Sequence, residues 1–221
     1  MKKSEVLKRI TEAGVVAVVR GDTKEQAIET VEAVVAGGIK IIELTMTVPH
    51  GPEVIRELCD KYADSDIVVG AGTVLDTETA RACILEGAAF IVSPCLDIET
   101  MKLCNRYRVV VMPGVTTVVD AVKALEYGAD VIKVFPSNLF GPSIIGAFKG
   151  PLPQADFMPT GGVSIENMHK WIAAGATVVG VGSELTRGAK TGDYELVEET
   201  TRKFVTEFNR IKYGEEVNVG V

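Results

Sequence analysis

Two charged residues stand inside apolar, strand-like runs of the sequence. Lys133 lies within "DVIKVFPSN" at 130–138, and Glu43 lies within "IIELT" at 41–45. Burial disfavours the charged form of an amine, and a neutral lysine can attack a carbonyl carbon to form a Schiff base. A nearby carboxylate can move the protons that each step requires. The pair therefore indicates covalent amine chemistry, and the alternative is a buried structural ion pair or a lysine that reaches out to solvent.

Eight short apolar runs predict the elements that must hold these two residues. Helical patterns lie between the runs, for example at 23–38 and 116–129. The runs are apolar at nearly every position, which is typical of parallel strands that helices cover on both faces. They occupy 15–19, 41–45, 67–73, 89–94, 109–115, 131–136, 157–162 and 178–182.

Glycines close the helices that precede every second run, where a left-handed residue can end a helix. These glycines are Gly38, Gly87, Gly128 and Gly175. Eight such units predict an α/β fold, a (β/α)8 TIM barrel, with an additional N-terminal helix at 2–13. The alternative is an open doubly wound sheet, but no G-x-G-x-x-G follows the first strand. A single domain is predicted over 1–213, and a loose tail over 214–221.

In such a barrel, Lys133 and Glu43 are expected to converge. Alternate residues of a strand point inward, and each interior layer draws on either odd or even strands. Strands two and six are both even and face each other across the barrel. Lys133 should therefore share an interior cavity with Glu43, on the same strand face as Val131 and Phe135.

Further candidate site residues lie at the ends of other predicted strands, because the active sites of barrel enzymes lie at the carboxyl ends of the strands. Arg20 ends strand one and could grip an anion, or it could pair with Asp22 at the surface. Thr73 ends strand three in "GAGT" and offers a hydroxyl, or it is a plain N-cap. Pro94 ends strand four in "SPC" and shapes a pocket wall, or it only terminates the strand.

Two glycine-rich turns follow the last two strands. They read "PTGGVSIEN" at 159–167 and "GVGSEL" at 180–185. Exposed backbone N–H groups bind phosphate, and strands seven and eight are the usual phosphate locus in barrels. The turns therefore predict a phosphate site, and the alternative is a pair of tight turns with serine N-caps.

The composition limits the classes of partner and cofactor. The net charge of the 221 residues is −7, so neither nucleic acid nor an anionic membrane is expected as a partner. The N-terminus does not read as a signal peptide and no run is long enough to span a membrane, so a cytoplasmic location with reduced cysteines is predicted. Two histidines are too few for a typical catalytic zinc site, so no metal is expected. No histidine is placed to activate Cys95 as a nucleophile.

At these residues the chain resembles the 2-keto-3-deoxy-6-phosphogluconate (KDPG) aldolases, also described as bifunctional with 4-hydroxy-2-oxoglutarate (KHG) aldolase activity. The resemblance runs in order through "VVAVVR", "ELT", "GAGT", "IVSP", "MPGV", "IKVFP", "PTGG" and "GVGS". It implies a (β/α)8 barrel, a class I Schiff-base mechanism without a metal, a phosphorylated 2-keto acid substrate and usually a homotrimer.

The resemblance also implies a role for each matching residue. Lys133 forms the Schiff base, and Glu43 is the general acid and base. Thr73, Pro94 and Phe135 surround the pyruvate end of the substrate. The residues toward the phosphate are Thr160, Gly161, Gly162, Gly182 and Ser183.

One position departs from the family pattern. Many members carry an arginine four residues after the catalytic glutamate, where it meets the substrate carboxylate. This chain has Thr47 there, in "TMTVP". Some members resemble this variant, and Arg20 and Thr73 are the candidates to take over the carboxylate contact.

The expected reaction is cleavage of KDPG to pyruvate and glyceraldehyde 3-phosphate, together with cleavage of KHG to pyruvate and glyoxylate. A close alternative is an aldolase for the galactonate epimer, which differs only in the configuration at C4. More distant alternatives are a non-catalytic barrel that binds a phosphorylated ligand, and a phosphosugar isomerase or decarboxylase on the same fold.

Overall fold

The apolar runs form parallel strands. A computed structural model describes residues 1–214, so the predicted tail lies outside the described residues except for Gly214. Within this part of the chain there are nine strands, and all their pairings are parallel. The strands are β1 (Val15–Val19), β2 (Ile41–Thr45), β3 (Val68–Gly72), β4 (Phe90–Val92), β5 (Val110–Met112), β6 (Gly114–Val115), β7 (Ile132–Val134), β8 (Phe157–Pro159) and β9 (Val179–Val181).

Helices alternate with these strands. In five of the nine described helices a side chain caps the first turn by accepting a backbone N–H. The capping residues are Thr23, Asp76, Asp97, Thr117 and Asp193. Among the described residues, no helix has both the length and the apolar character to cross a membrane. The helices are α1 (Lys3–Ala13), α2 (Lys24–Ala36), α3 (Gly51–Lys61), α4 (Thr77–Leu85), α5 (Ile98–Arg106), α6 (Val118–Glu126), α7 (Ser143–Lys149), α8 (Met168–Ala173) and α9 (Tyr194–Tyr213).

The strands pair in two sheets, with the orders β5-β4-β3-β2-β1-β9 and β6-β7-β8. The fifth predicted strand is divided at Pro113, because proline has no N–H to continue a ladder of hydrogen bonds. Beyond the end of β8, Thr160 pairs with Gly180 of β9 in an isolated parallel bridge. The prediction of an α/β fold with parallel strands is confirmed.

The buried apolar residues form two clusters, one between strands and helices and one inside the curled sheets. The inner cluster contains Ile41 of β2 and Val131, next to β7, and α1 adds Val6 and Ile10. Residues two positions apart on a strand share a face. Glu43 and Lys133 therefore lie on the interior face, one layer beyond Ile41 and Val131.

The helix-ending glycines have the backbone conformation that the sequence predicts. All four have positive φ angles between 79° and 104°, which side chains with a Cβ rarely adopt. They are Gly38, Gly87, Gly128 and Gly175.

A nearly buried ion pair ties α1 to the start of two strands. Nζ of Lys3 lies 2.8 Å from a carboxylate oxygen of Asp130, and the two side chains are 12% and 13% exposed. The same Nζ donates to Asn105 over 2.8 Å, and Asp130 accepts the backbone N–H of Val111 over 2.9 Å. Lys3 therefore joins α1, α5 and the entrance to β5 in one polar network.

We expect Lys3→Met to lower the free energy of unfolding by about 2 kcal/mol, because it leaves the Asp130 carboxylate poorly solvated and without its cation. For a chain of this size the thermal midpoint should fall by about 4–8 °C in a calorimetric scan. Lys8→Met is the matched control, since Lys8 pairs with Glu12 over 3.7 Å with both side chains more than 60% exposed (70% and 63%). Equal midpoints for the two variants would contradict this interpretation.

Candidate active site

Lys133 and Glu43 meet inside the curled sheets. Nζ of Lys133 donates to Oε1 of Glu43 over 3.4 Å, and the two residues are 4% and 0% exposed. The second carboxylate oxygen, Oε2, has no hydrogen-bond partner among the described residues. Buried polar atoms in a purely structural ion pair are normally satisfied. The arrangement therefore holds an amine beside a carboxylate that keeps one acceptor oxygen available.

A glycine of the adjacent strand leaves room for the Glu43 side chain. A Cβ added to Gly72 of β3 would lie 2.1 Å from Oε1 of Glu43 and 2.4 Å from its Cγ. Gly72 is not among the site residues predicted from the sequence, although it belongs to the quoted "GAGT". The available signal is a glycine inside a strand, which marks a close approach of another group.

Three predicted site residues, Thr73, Pro94 and Phe135, lie beside Lys133 or beside residues that are adjacent to the pair. Thr73 follows Gly72 with a φ of +56°, a left-handed conformation that is strained for a β-branched residue and typical of functional sites. The Phe135 ring centroid is 5.3 Å from Nζ of Lys133. Pro94 lies against Gly114, where a Cβ would come within 2.3 Å of the Pro94 carbonyl oxygen. Gly114 is the register partner of Lys133.

A cavity of about 240 Å³ opens beside Phe135, at the carboxyl ends of β1, β7, β8 and β9. Both glycine-rich turns line it, together with Arg20, which follows β1. The predicted site residues in its lining are Arg20, Phe135, Thr160, Gly161, Gly162, Gly182 and Ser183. Phe135 therefore lies both in the lining of this cavity and next to the amine of Lys133.

Arg20 is oriented by threonines of β2 and the turn that follows it. Its guanidinium donates to Oγ1 of Thr47 over 3.3 Å, and Oγ1 of Thr47 lies 2.8 Å from Oγ1 of the buried Thr45. Arg20 is exposed, as the alternative interpretation expected, but within residues 1–214 it makes no ion pair with Asp22. Thr47, at the position of the family arginine, thus contacts the arginine that follows β1.

The family model for KDPG and KHG aldolases matches residues 6–200, a range that contains all of these residues. This chain belongs to the KDPG and KHG aldolase family. It is a lyase, as its curated relatives are aldolases. The aldolase is 36% identical over 182 residues to a 2-dehydro-3-deoxy-6-phosphogalactonate aldolase of Escherichia coli (strain K12), covering 82% of this chain and 88% of the relative.

Two further comparisons cover most of both chains. The aldolase is 32% identical over 200 residues to a 2-dehydro-3-deoxy-phosphogluconate aldolase of Pseudomonas aeruginosa, covering 89% of this chain and 90% of the relative. It is also similar to a crystal structure of KDPG aldolase from Legionella pneumophila with pyruvate captured at low pH as a covalent carbinolamine intermediate. That similarity has a TM-score of 0.81 and 26% identity, and covers 91% of this chain and 97% of the other.

Thr160 gives the aldolase a second unsatisfied polar atom. Its Oγ1 is buried without a hydrogen-bond partner among the described residues. A Cβ added to Gly180 would lie 2.3 Å from this oxygen, so Gly180 is a further site residue that sequence analysis does not identify. A buried hydroxyl in a cavity wall is available to a substrate oxygen.

Arg20 and Glu184 are the charged residues in the cavity lining of the aldolase. Burial, followed by the repulsion of Glu166, raises the pKa of Glu184 above its usual range, while Arg187 acts in the opposite direction. Among the described residues, Arg20 is the positively charged residue of this cavity lining.

The cysteines of the aldolase are free thiols. Burial raises the pKa of Cys59 to about 11 and the pKa values of Cys83 and Cys104 to about 12. These three thiols are protonated at neutral pH and are poor nucleophiles. Cys95 is exposed. Within residues 1–214, no three His, Cys, Asp or Glu side chains are grouped to hold a metal ion.

Proposed function

We propose that this aldolase cleaves KDPG to pyruvate and glyceraldehyde 3-phosphate, and KHG to pyruvate and glyoxylate, through a Schiff base on Lys133. The observation that carries the proposal is the 3.4 Å separation of the Lys133 amine and the Glu43 carboxylate in a buried interior. The Legionella relative, in which pyruvate is held as a carbinolamine, supports the same chemistry.

The proposed reaction begins when Lys133 passes a proton to Glu43 and attacks the C2 keto carbon of the substrate. Glu43 returns this proton to the oxygen of the carbinolamine, which leaves as water and gives an iminium, whose positive charge stabilises the electron pair released when the C3–C4 bond breaks. The Glu43 carboxylate, ionised again, takes the proton of the C4 hydroxyl directly or through a water molecule. The aldehyde product leaves, Glu43 passes that proton to C3 of the enamine, and addition of water to the iminium frees pyruvate and Lys133.

In this proposal the substrate lies along the line from Lys133 to the glycine-rich turns. Thr73, Pro94 and Phe135 surround the pyruvate end, where Thr73 offers a hydroxyl to the carboxylate. The phosphate occupies the cavity of about 240 Å³, in contact with Arg20. The other phosphate contacts come from Thr160, Gly161, Gly162, Gly182 and Ser183. Thr47 acts through the guanidinium of Arg20, which donates to it.

We also propose that the strands of residues 1–213 close into one (β/α)8 barrel. Two contacts support closure. Only Pro113 separates β5 from β6, and the Thr160–Gly180 bridge links the end of β8 to β9. The closed barrel has the N-terminal helix α1 against its interior cluster.

We also propose that the aldolase is a homotrimer and lies in the cytoplasm. Exposed apolar side chains on one helix support association of subunits, because contact would remove them from water. Val118, Val119 and Val122 of α6 are 38%, 64% and 38% exposed. Light scattering behind a sizing column would measure the mass of the assembly, and a monomer would contradict this part of the proposal.

Borohydride trapping with pyruvate tests the proposed function. We expect reduction to add one pyruvyl group, and peptide mass spectrometry to find it on Lys133, since this amine is buried beside a carboxylate. An adduct spread over surface lysines, or no adduct, would favour a binding protein or an isomerase instead.

The galactonate epimer is the second candidate substrate, because the E. coli relative at 36% identity acts on phosphogalactonate by its name. We expect kcat/KM to be higher for the gluconate substrate when both are assayed on one preparation. A higher value for the galactonate substrate would reverse the assignment and leave the mechanism unchanged.

A further inference from the structure

Three consecutive carbonyl groups of the "PTGG" turn are held by side chains outside the turn. Oγ of Ser137 lies 3.0 Å from the carbonyl oxygen of Thr160 and 2.6 Å from that of Gly161, so one hydroxyl proton is shared between them. Nδ2 of Asn167 donates to the carbonyl oxygen of Gly162 over 2.7 Å. Ser137 is 0% exposed. The orientation of three successive peptide groups is thus fixed by two side chains.

Fixing these carbonyl groups also fixes the N–H groups of the same peptides. In a trans peptide the N–H points opposite to the C=O, so the N–H groups of Gly161, Gly162 and Val163 point away from Ser137 and Asn167. Within residues 1–214, neither Gly162 nor Val163 donates a backbone hydrogen bond, whereas the N–H of Gly161 faces the carbonyl group of Gly180 across the isolated bridge. All three residues line the cavity beside Phe135. Successive free N–H groups of this kind form an anion-binding concavity.

The two glycines permit this arrangement and the surrounding residues restrict it. Gly161 and Gly162 have φ angles of +95° and +77°. A Cβ on Gly162 would lie 2.7 Å from the Cβ of Asn138, so the turn is packed closely against the residue after Ser137. Without these contacts the glycine peptides would be free to rotate. An N–H group that must be ordered on binding contributes less to the affinity for an anion.

Ser137 and Asn167 are themselves held in place. The backbone N–H of Ser137 also donates to the carbonyl oxygen of Thr160 over 3.0 Å. Oδ1 of Asn167 accepts the N–H of Ser164 over 2.9 Å and the indole N–H of Trp171 over 3.1 Å. Ser137 lies four residues beyond Lys133 on the same segment. The geometry of the turn is therefore coupled to the strand that carries the lysine.

We infer that Ser137 and Asn167 are positioning residues for the phosphate group of the substrate. They aim the N–H groups of Gly162 and Val163 at the phosphate, while neither side chain contacts the substrate. The inference rests on the proposed function, because it assigns the phosphate to this cavity. It predicts that the two residues affect phosphorylated substrates selectively.

The test compares two substrates on Ser137→Ala. For KDPG we expect KM to rise about tenfold or more with kcat within about twofold, because hydrogen bonds from N–H groups to a charged acceptor are among the strong ones. For KHG, which has no phosphate, KM and kcat should stay within about twofold of wild type. Asn167→Ala should likewise raise KM for KDPG and leave KM for KHG nearly unchanged. It also provides the test if Ser137→Ala does not fold, since Asn167 is only partly buried.

Thr201→Val is the matched control. Its Oγ1 donates to the carbonyl oxygen of Val197 over 2.7 Å in α9, so the variant also removes a buried hydroxyl-to-carbonyl hydrogen bond. We expect this variant to lose some stability and to keep both KM values.

The outcomes separate the inference from the proposed function. Equal losses for KDPG and KHG, or no change for either, would show that Ser137 is only structural and would overturn the inference. Borohydride trapping of pyruvate on Lys133 should persist in all three variants. If trapping fails in the wild-type protein, it is the proposed function that fails, whatever the variants do.

Discussion

Replacement of Lys133 by methionine should lower kcat for KDPG cleavage by about four orders of magnitude or more, and should abolish the borohydride adduct with pyruvate. Methionine has similar length but no amine, so no Schiff base can form. The remaining site would still bind substrate, and KM or an equilibrium Kd should change much less than kcat. Stopped assays at high enzyme concentration, with mass spectrometry of the reduced protein, measure both effects.

Lys133→Arg tests whether Lys133 acts as a nucleophile or only through its positive charge. Arginine keeps a cation next to Glu43, but a guanidinium stays protonated and does not add to a ketone. We expect it to be as inactive as the methionine variant. Substantial cleavage by Lys133→Arg would mean that Lys133 acts through its charge, and the Schiff-base proposal would be abandoned.

Loss of activity in Lys133→Met must be separated from loss of the fold. Glu43 is 0% exposed, and removing one partner of a buried ion pair costs about 3–5 kcal/mol. Replacing both partners with neutral groups is often far less costly. The double variant Lys133→Met, Glu43→Gln should therefore recover much of the stability, measured by urea unfolding, and remain inactive.

A single added methyl group at Gly72 is the second large effect that we expect. The Cβ of alanine would lie 2.1 Å from Oε1 and 2.4 Å from Cγ of Glu43, well inside van der Waals contact. The buried carboxylate must then move away from Nζ of Lys133. Because a displacement of about 1 Å can cost about a hundredfold in rate, we expect kcat of Gly72→Ala to fall at least that far.

Gly146→Ala is the control for Gly72→Ala. Gly146 lies in α7, and a Cβ there would meet nothing within 4 Å, so alanine should leave kcat unchanged and slightly favour the helix. Borohydride trapping of Gly72→Ala adds a second measurement, since Lys133 is still present. Wild-type kcat in Gly72→Ala would contradict the role given to the position of Glu43.

The convergence of Lys133 and Glu43 could be predicted because it follows from strand periodicity. Each residue interrupts an apolar run at an interior position, and the alternation of runs and helices fixes which strands face each other. The glycines at helix ends were predictable for a similar local reason, since each requires a positive φ angle. Features that a repeating backbone geometry determines, such as strand faces and helix ends, can therefore be predicted from a single sequence.

The contacts of Gly72, Ser137 and Asn167 could not be predicted in the same way. Each depends on a distance between segments that no period determines, such as the packing of β3 against the side chain of Glu43. Ser137 and Asn167 contact carbonyl groups 23 to 24 and 5 residues away in sequence, through a turn whose conformation is set by tertiary packing. The hydrogen bond from Arg20 to Thr47 is of the same kind.

The depth of Lys133 has a kinetic consequence. The amine is 4% exposed and lies 5.3 Å from the ring centroid of Phe135, while Gly162 and Ser183 are exposed residues of the cavity lining. Under the proposed mechanism, the three-carbon fragment bound to the amine is the inner part of a cleaved substrate, and the phosphorylated aldehyde is the outer part. We then expect the aldehyde to diffuse out first, and in the reverse direction we expect pyruvate to bind before the aldehyde. Product-inhibition kinetics would show such an ordered sequence, with pyruvate as the last product to leave and the first substrate to bind.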